Sequence, residues 1–69
     1  MTEKMEADII EVDGRYYYLY VIGTHFWTTY LLKKNLKRDA RSDIFSLSAD
    51  EVFRGKIIKR GVPRGEIMK

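Results

Sequence analysis

Two turn signals, Asp13-Gly14 and Gly23-Thr24, divide the first half of this chain into three short runs of strand-forming residues. Residues 7–12, 15–22 and 25–32 are rich in β-branched and aromatic side chains, which favour strands. Asp-Gly suits a type I′ turn, in which both central residues have positive φ. Gly at the first central position suits a type II′ turn. Because such turns join neighbouring antiparallel strands, the sequence predicts a three-stranded meander.

The turn lengths also fix the register of the three strands. Two-residue turns place Val12 opposite Arg15 and Val21 opposite Phe26. Since strand side chains alternate between the faces of a sheet, two sets of residues result. The first set, called the aliphatic face, comprises Ile10, Val12, Tyr17, Leu19, Val21, Phe26, Tyr30 and Leu32. The second set, called the aromatic face, comprises Ile9, Tyr16, Tyr18, Tyr20, Trp27, Thr29 and Leu31. We expect the aliphatic face to form one side of the hydrophobic core.

The second half of the chain predicts a helix after a short fourth strand at residues 44–47. Ser48 and Glu51 have the spacing of a capping box, in which each side chain bonds the other residue's backbone amide. Continued to Arg60, this helix ends before Gly61, a residue favoured just after a helix. The leading prediction is therefore an α+β fold, with a three- to four-stranded antiparallel meander packed against one C-terminal helix.

An alternative architecture follows from Gly55, which costs about 1 kcal/mol relative to Ala inside a helix. A helix that ends at Arg54 leaves residues 56–60 as a further strand, which gives an SH3-like small β-barrel with one helical turn. In both versions residues 1–69 form a single small domain. Residues 61–69 contain Pro63 and two glycines and are predicted to form a flexible basic tail unless they dock.

The chain's size and its lack of reactive side chains exclude several classes of protein. A chain of 69 residues has a thin core, and this one has no Cys and one His. Disulfide scaffolds, zinc fingers and thiol chemistry are therefore excluded. No spacing pairs a nucleophile with a base, and the carboxylates are scattered. We expect no enzymatic activity, no catalytic residues, no metal and no cofactor.

Charge is distributed unevenly between the two halves of the chain. Residues 1–32 carry a net charge of −3 and residues 33–69 a net charge of +6. This asymmetry predicts an anionic partner, with a well-solvated surface as the alternative. The cations that we expect to contact phosphates are Lys33, Lys34, Lys37, Arg38, Arg41, Lys56, Lys59 and Arg60, with Arg54 and Arg64 as further candidates.

The aromatic face offers a second candidate binding feature. Sheet-borne aromatic rings beside Lys and Arg can stack the bases of single-stranded nucleic acid. The predicted stacking residues are Tyr16, Tyr18, Tyr20 and Trp27. Alternatively, cross-strand aromatic pairs stabilise the sheet, or this face is buried under a helix or in a dimer. The leading hypothesis is a small nucleic-acid-binding regulator or architectural protein, with DNA favoured over RNA. The second is a protein-interaction module or small dimeric regulator that uses the same face.

In architecture alone, a three-stranded meander followed by a helix with a basic flank resembles the DNA-binding domains of the integrase arm-binding and plant AP2 types. That resemblance implies a sheet laid in the major groove, although no sequence motif of those families occurs here. The lack of Cys and Gln, with a single Asn, suggests a thermophilic prokaryotic, archaeal or viral source. We expect a cytoplasmic protein that does not enter membranes, since no long apolar segment occurs.

Overall fold

The computed structural model describes residues 6–68, which form one open antiparallel sheet and two short helices. The strands are β1 (Glu6–Val12), β2 (Arg15–Ile22), β3 (His25–Leu31) and β4 (Lys56–Pro63), in the spatial order β3-β2-β1-β4. Helix α1 (Ala49–Arg54) precedes β4, and helix α2 (Arg64–Met68) follows it. The protein is a small α+β fold, and no helix within residues 6–68 is long and apolar enough to cross a membrane.

The first three strands form the predicted meander in the predicted register. Val12 lies opposite Arg15, and Val21 lies opposite Phe26. In the first turn Asp13 has φ 52° and Gly14 has φ 80°, the signs that a type I′ turn requires. In the second turn only Gly23 has positive φ, at 58°, as a type II′ turn requires. The turn residues therefore fix this half of the fold.

The helix prediction is right at its beginning and wrong at its end. At the beginning, the Glu51 amide donates to Ser48 Oγ at 3.3 Å and the Ser48 amide donates to Glu51 Oε1 at 2.9 Å. The capping box is therefore formed, but α1 ends at Arg54 instead of Arg60. Gly55 leaves the helix in an extended conformation, with φ −65° and ψ 148°.

Close packing explains why the chain changes course at Gly55. A Cβ atom at this position would lie 3.0 Å from Ile10 Cδ1 and 3.2 Å from Val12 Cγ2. The chain thus passes directly over the aliphatic face of β1, where only glycine fits without displacing a neighbour. Just beyond it, the β-branched Ile57 pairs with Ile10 in the sheet.

Residues 56–60 are therefore a strand, as the alternative architecture held, and the leading prediction of a helix there is wrong. The sheet nevertheless remains open, so the SH3-like barrel is not formed. The predicted strand at residues 44–47 is also absent, because a turn occupies 40–44 and irregular chain follows. Phe45 and Leu47 instead pack their side chains against the aliphatic face.

The end of the chain, which was expected to be a flexible tail unless it docked, packs on the sheet as far as residue 68. Residues 61–63 complete β4, and α2 turns back across the aromatic face. Val62 and Ile67 are buried there, with 5% and 2% of their surfaces exposed. These two apolar side chains dock the end of β4 and helix α2 on the sheet.

The sheet buries side chains on both faces, whereas the leading prediction placed the core on the aliphatic face and gave burial of the aromatic face under a helix as an alternative. On the aliphatic face the buried residues are Ile10, Val12 and Tyr17. On the aromatic face they are Ala7, Ile9, Tyr18, Leu31, Val62 and Ile67. The 45–47 segment and α1 lie against the aliphatic face, and α2 lies against part of the aromatic face. Since these covering segments are short, each buried cluster is small.

Candidate nucleic-acid interface

The four predicted stacking residues do not share one environment. Tyr18 is 3% exposed, and its hydroxyl donates to the Val62 carbonyl oxygen at 2.6 Å. Burial raises the pKa of the Tyr18 hydroxyl above its usual value. Tyr16 is half-buried against the same cluster. Tyr18 is therefore a core residue that joins β2 to β4, and it cannot stack a base.

Tyr20 and Trp27 lie at the open end of the aromatic face. They are cross-strand partners, and their ring centroids are 6.1 Å apart with an interplanar angle of 40°. Trp27 is 55% exposed. The His25 ring also lies beside Trp27, with the ring centroids 6.5 Å apart and an interplanar angle of 25°. Strand alternation places all three rings on one face, so they form a short aromatic row beside the second turn.

A groove of about 590 Å³ runs past this row and has two arginines in its lining. Tyr20, Trp27 and Thr29 supply the sheet side of the groove, and Arg38 and Arg64 lie among its other lining residues. Both arginines are exposed, and within residues 6–68 neither guanidinium forms an ion pair. The lining thus combines exposed aromatic surface with two positive charges that have no carboxylate partner in the described part of the chain.

Hydrogen bonds join the loop that carries Arg38 to helix α2, which begins at Arg64. Arg38 pairs with Leu31 at the edge of β3, and its amide donates to the Ile67 carbonyl at 2.7 Å. Lys37 Nζ donates to the Glu66 carbonyl at 2.6 Å. The loop after β3 therefore binds the C-terminal carbonyls of α2, while Arg64 begins that helix. Helix α2 consequently brings together two cations that are 26 residues apart in sequence.

One carboxylate, Asp43, also lines the groove. Like the two arginines, it forms no ion pair within residues 6–68. A carboxylate accepts hydrogen bonds and repels phosphate. The groove is therefore polarised, with arginines and an acid among the residues that surround the same aromatic surface.

The remaining cations of the predicted loop set lie outside the groove lining. Lys33 and Lys34 are exposed in the turn after β3, and Lys37 is tied to α2. Arg41 is bidentate to Asp39, with Nε–Oδ1 and Nη2–Oδ2 distances of 3.1 and 2.9 Å. These hydrogen bonds lower the pKa of the Asp39 carboxyl to about 2. Arg41 therefore closes a turn, and its guanidinium already has an anionic partner.

Lys56, Lys59 and Arg60 lie on β4, at the opposite edge of the sheet from β3. Three strand spacings separate those edges, which is roughly 14 Å. Lys56 pairs across the sheet with Glu11. Part of the sequence's charge asymmetry is thus neutralised in space, because the basic β4 lies beside the acidic β1. These three cations are not part of the groove.

Two features of the described residues were indicated only weakly, or not at all, by the sequence. Arg64 was only a secondary candidate for phosphate contact, because nothing before it in the sequence predicts that α2 folds back over the sheet. The second feature is an apolar groove of about 340 Å³ on the aliphatic side, lined by Val21, Phe26, Val52 and others. Phe53 also lines it and is 86% exposed. Because Val21 and Phe53 expose apolar surface beside each other, this groove is a candidate contact surface.

Within residues 6–68, no group of three or more His, Asp or Glu side chains is placed to hold a metal ion. Comparison with protein-family models, curated proteins and solved structures finds no match for this chain. Helix α2 lies across part of the aromatic face, so within residues 6–68 this face is not bare along its whole length, as the sheet in the integrase and AP2 resemblance would be.

Proposed function

We propose that this protein binds single-stranded nucleic acid in the groove beside Tyr20 and Trp27. The observation that supports the proposal most is the pair of exposed Trp27 and half-buried Tyr20, which shares the groove with Arg38 and Arg64. Stacking of a base on an aromatic side chain contributes roughly 1–3 kcal/mol and tolerates any base. Arginine is the side chain best shaped to bind phosphate oxygens in a bidentate manner.

In this proposal the two kinds of residue have separate roles. A base stacks on the open indole face of Trp27, with Tyr20 as its neighbour in the sheet. Arg38 and Arg64 contact the flanking phosphates, and Asp43 repels the backbone so that it follows the arginine side. Binding depends on charge and stacking and has little preference for sequence, as suits an architectural or regulatory protein.

The covering of the aromatic face by α2 favours a single strand over a duplex. A duplex presents its bases only through the grooves, whereas unpaired bases can enter a pocket and stack. The exposed ring surface amounts to two neighbouring side chains beside the second turn, which fits one or two unstacked bases. DNA is the first ligand to test, with RNA of the same sequence as the comparison.

The test is a salt titration of binding to a fluorescently labelled single-stranded oligonucleotide. Two phosphate contacts on a single strand predict a slope of log affinity against log salt near −1.4, or about a sevenfold weakening between 50 and 200 mM salt. Arg38→Gln combined with Arg64→Gln should flatten that slope. Lys56→Gln combined with Lys59→Gln is the matched control with the same charge change, and it should leave the slope unchanged. An affinity that hardly varies with salt would contradict the proposal.

A protein-interaction module is the second candidate, and the exposure of Phe53 favours it. Val21, which is 56% exposed, lies with Phe53 beside the apolar groove on the aliphatic side. This surface differs from the aromatic face that the sequence suggested for the same role. Self-association is the interaction that the chain alone can reveal, and Phe53→Ser should weaken it if this surface carries the contact. Unlike nucleic-acid binding, such a contact should persist or strengthen at high salt.

A further inference from the structure

The two edges of the sheet differ in how they are protected against pairing with another strand. The β4 edge carries Lys56, Lys59 and Arg60, shifts register against β1, and contains Gly61 with φ 64° as well as Pro63. Charged residues, irregular pairing and proline are the devices that keep an edge strand unpaired. On β3, residues 25–29 contain no Lys, Arg, Asp or Glu. The β3 edge therefore lacks the protection that β4 has.

The backbone groups that β3 presents at this edge can be identified from Tyr30. Its amide donates to Ser42 Oγ at 3.1 Å, and its carbonyl accepts from the Asp39 amide at 2.9 Å. Both bonds lie on the side away from β2. Because hydrogen-bonding direction alternates along a strand, Thr28 and Phe26 also direct their amides and carbonyls outward. No hydrogen bond from residues 6–68 reaches those outward groups.

The unpaired stretch has definite limits. The Gly23-Thr24 turn bounds it on one side, and the 38–42 segment, which bonds to Tyr30, bounds it on the other. Residues 25–29 remain, with Trp27 at their centre. The two residues with outward backbone groups, Phe26 and Thr28, are placed symmetrically about Trp27. The stretch is therefore complementary to an antiparallel copy of itself.

We propose that a second copy of this chain pairs with the β3 edge about a two-fold axis at Trp27, which gives a continuous eight-stranded sheet. Phe26 exchanges two N–H···O bonds with Thr28 of the partner subunit, and the symmetric pair forms two more. Trp27 then lies opposite Trp27 of the partner subunit in a non-hydrogen-bonded pair, about 4.5 Å apart at Cα. The axis brings the two aromatic grooves to the same face, side by side.

Charge also favours a second copy as the occupant of this edge. Residues 16–32 contain no Asp, Glu, Lys or Arg, although such residues make up 33% of the chain. Two identical surfaces meet without like-charge repulsion only where they carry no net charge, and this hairpin satisfies that condition. The paired segment is short, so the interface is smaller than that of an obligate dimer, and a dissociation constant in the micromolar range or weaker is expected.

Sedimentation of the full chain without nucleic acid, from about 1 µM to about 1 mM, tests the proposal. The expected result is a monomer–dimer equilibrium. Thr28→Lys places charges next to the axis and should raise the dissociation constant at least about tenfold. Ile58→Lys makes the same kind of change on the β4 edge and should leave the constant unchanged. A monomer at every concentration, or a dimer broken by Phe53→Ser and not by Thr28→Lys, would overturn the proposal.

Two further measurements keep the test decisive if Thr28→Lys fails to fold. Thr28→Pro removes an amide that bonds nothing within the monomer, so the β2–β3 pairing should survive while the dimer is lost. In the unmodified chain, hydrogen exchange at the Phe26 and Thr28 amides should slow as concentration rises, whereas fast exchange at all concentrations contradicts the pairing. Because these experiments contain no nucleic acid, their outcome is independent of the function proposed above.

Discussion

The two ends of the aromatic face have the same sequence pattern and opposite environments. At the covered end, Tyr18 and Leu31 are 3% and 1% exposed beneath Ile67 of α2. At the open end, Tyr20 is half-buried and Trp27 is 55% exposed. The residues at both ends come from β2 and β3, and strand alternation places all of them on the same face. The difference arises from α2 and the loop after β3, which cross the sheet at one end only.

The aromatic residues at the covered end are part of the core, whereas those at the open end have surface available to a ligand. The Tyr18 hydroxyl has a backbone partner in β4, so its polar atom is already satisfied inside the fold. The Trp27 ring contacts Tyr20 and His25 and leaves a large part of its surface free. Substitutions at the covered end should therefore change stability, while substitutions at the open end should change binding.

The largest effect is expected at the covered end, from Ile67→Ala. Ile67 is 2% exposed, and its removal leaves a cavity between α2 and the sheet. Large-to-small core substitutions of this kind cost about 2–5 kcal/mol. Urea denaturation followed by circular dichroism measures the loss in the free energy of unfolding. A loss well below 1 kcal/mol would mean that α2 does not hold the covered end closed.

The next largest effect is expected at the open end, from Trp27→Ala. Loss of one base-stacking contact should weaken single-stranded oligonucleotide binding roughly tenfold to hundredfold. The free energy of unfolding should change by less than about 1 kcal/mol, because the side chain is more than half exposed. Fluorescence anisotropy and urea denaturation of the same preparation give the two quantities. Parallel losses in both would show that the open end is structural too.

A smaller effect on stability should follow from Tyr18→Phe, which removes one hydroxyl. The Val62 carbonyl then loses a buried donor at 2.6 Å, at a cost of about 1–3 kcal/mol. Tyr20→Phe is the matched control at the open end, and it should leave stability nearly unchanged. Differential scanning calorimetry compares the two variants. Equal effects at both positions would remove the distinction between the two ends.

The smallest effect concerns the turn beside the groove, where Asp39 accepts from Arg41. The folded-state pKa of Asp39 is about 2, below the value near 3.9 for an unfolded chain. The pair therefore stabilises the fold fully above about pH 4 and ceases to do so as the pH falls through about 2. Asp39→Asn should flatten the pH dependence of stability in that window. An unchanged acid profile in the variant would assign the dependence to other carboxylates.

The meander was predictable because the residues that determine it lie in two short turns next to the strands they join. Asp13-Gly14 and Gly23-Thr24 set the turn types, and the turn types set the register of three strands. Residues 56–60 were not predictable in the same way, since a pattern with Ile57 and Ile58 between cations fits a helix or a strand. Whether residues 56–60 form a helix or a strand depends on pairing with β1, some 45 residues earlier, and on the close contact of Gly55 with Ile10.

The candidate groove was predictable only in part, for the same reason. Tyr20, Trp27 and Arg38 were all expected to bind the ligand, whereas Arg64 joins them because Ile67 docks on the sheet. Tyr18 has the same alternation as Tyr20, and only the return of α2 distinguishes them. Net charge along the chain was misleading as well, because Lys56 lies beside Glu11 and far from the groove.

Trp27 is the only tryptophan in the chain, so its fluorescence reports directly on the central claim that a base stacks at the open end. The measurement is a titration with two single-stranded oligonucleotides of equal length and charge, one bearing bases and one abasic throughout. We expect strong quenching of Trp27 emission by the strand with bases and little quenching by the abasic strand. Equal quenching by both, or none by either, would contradict it.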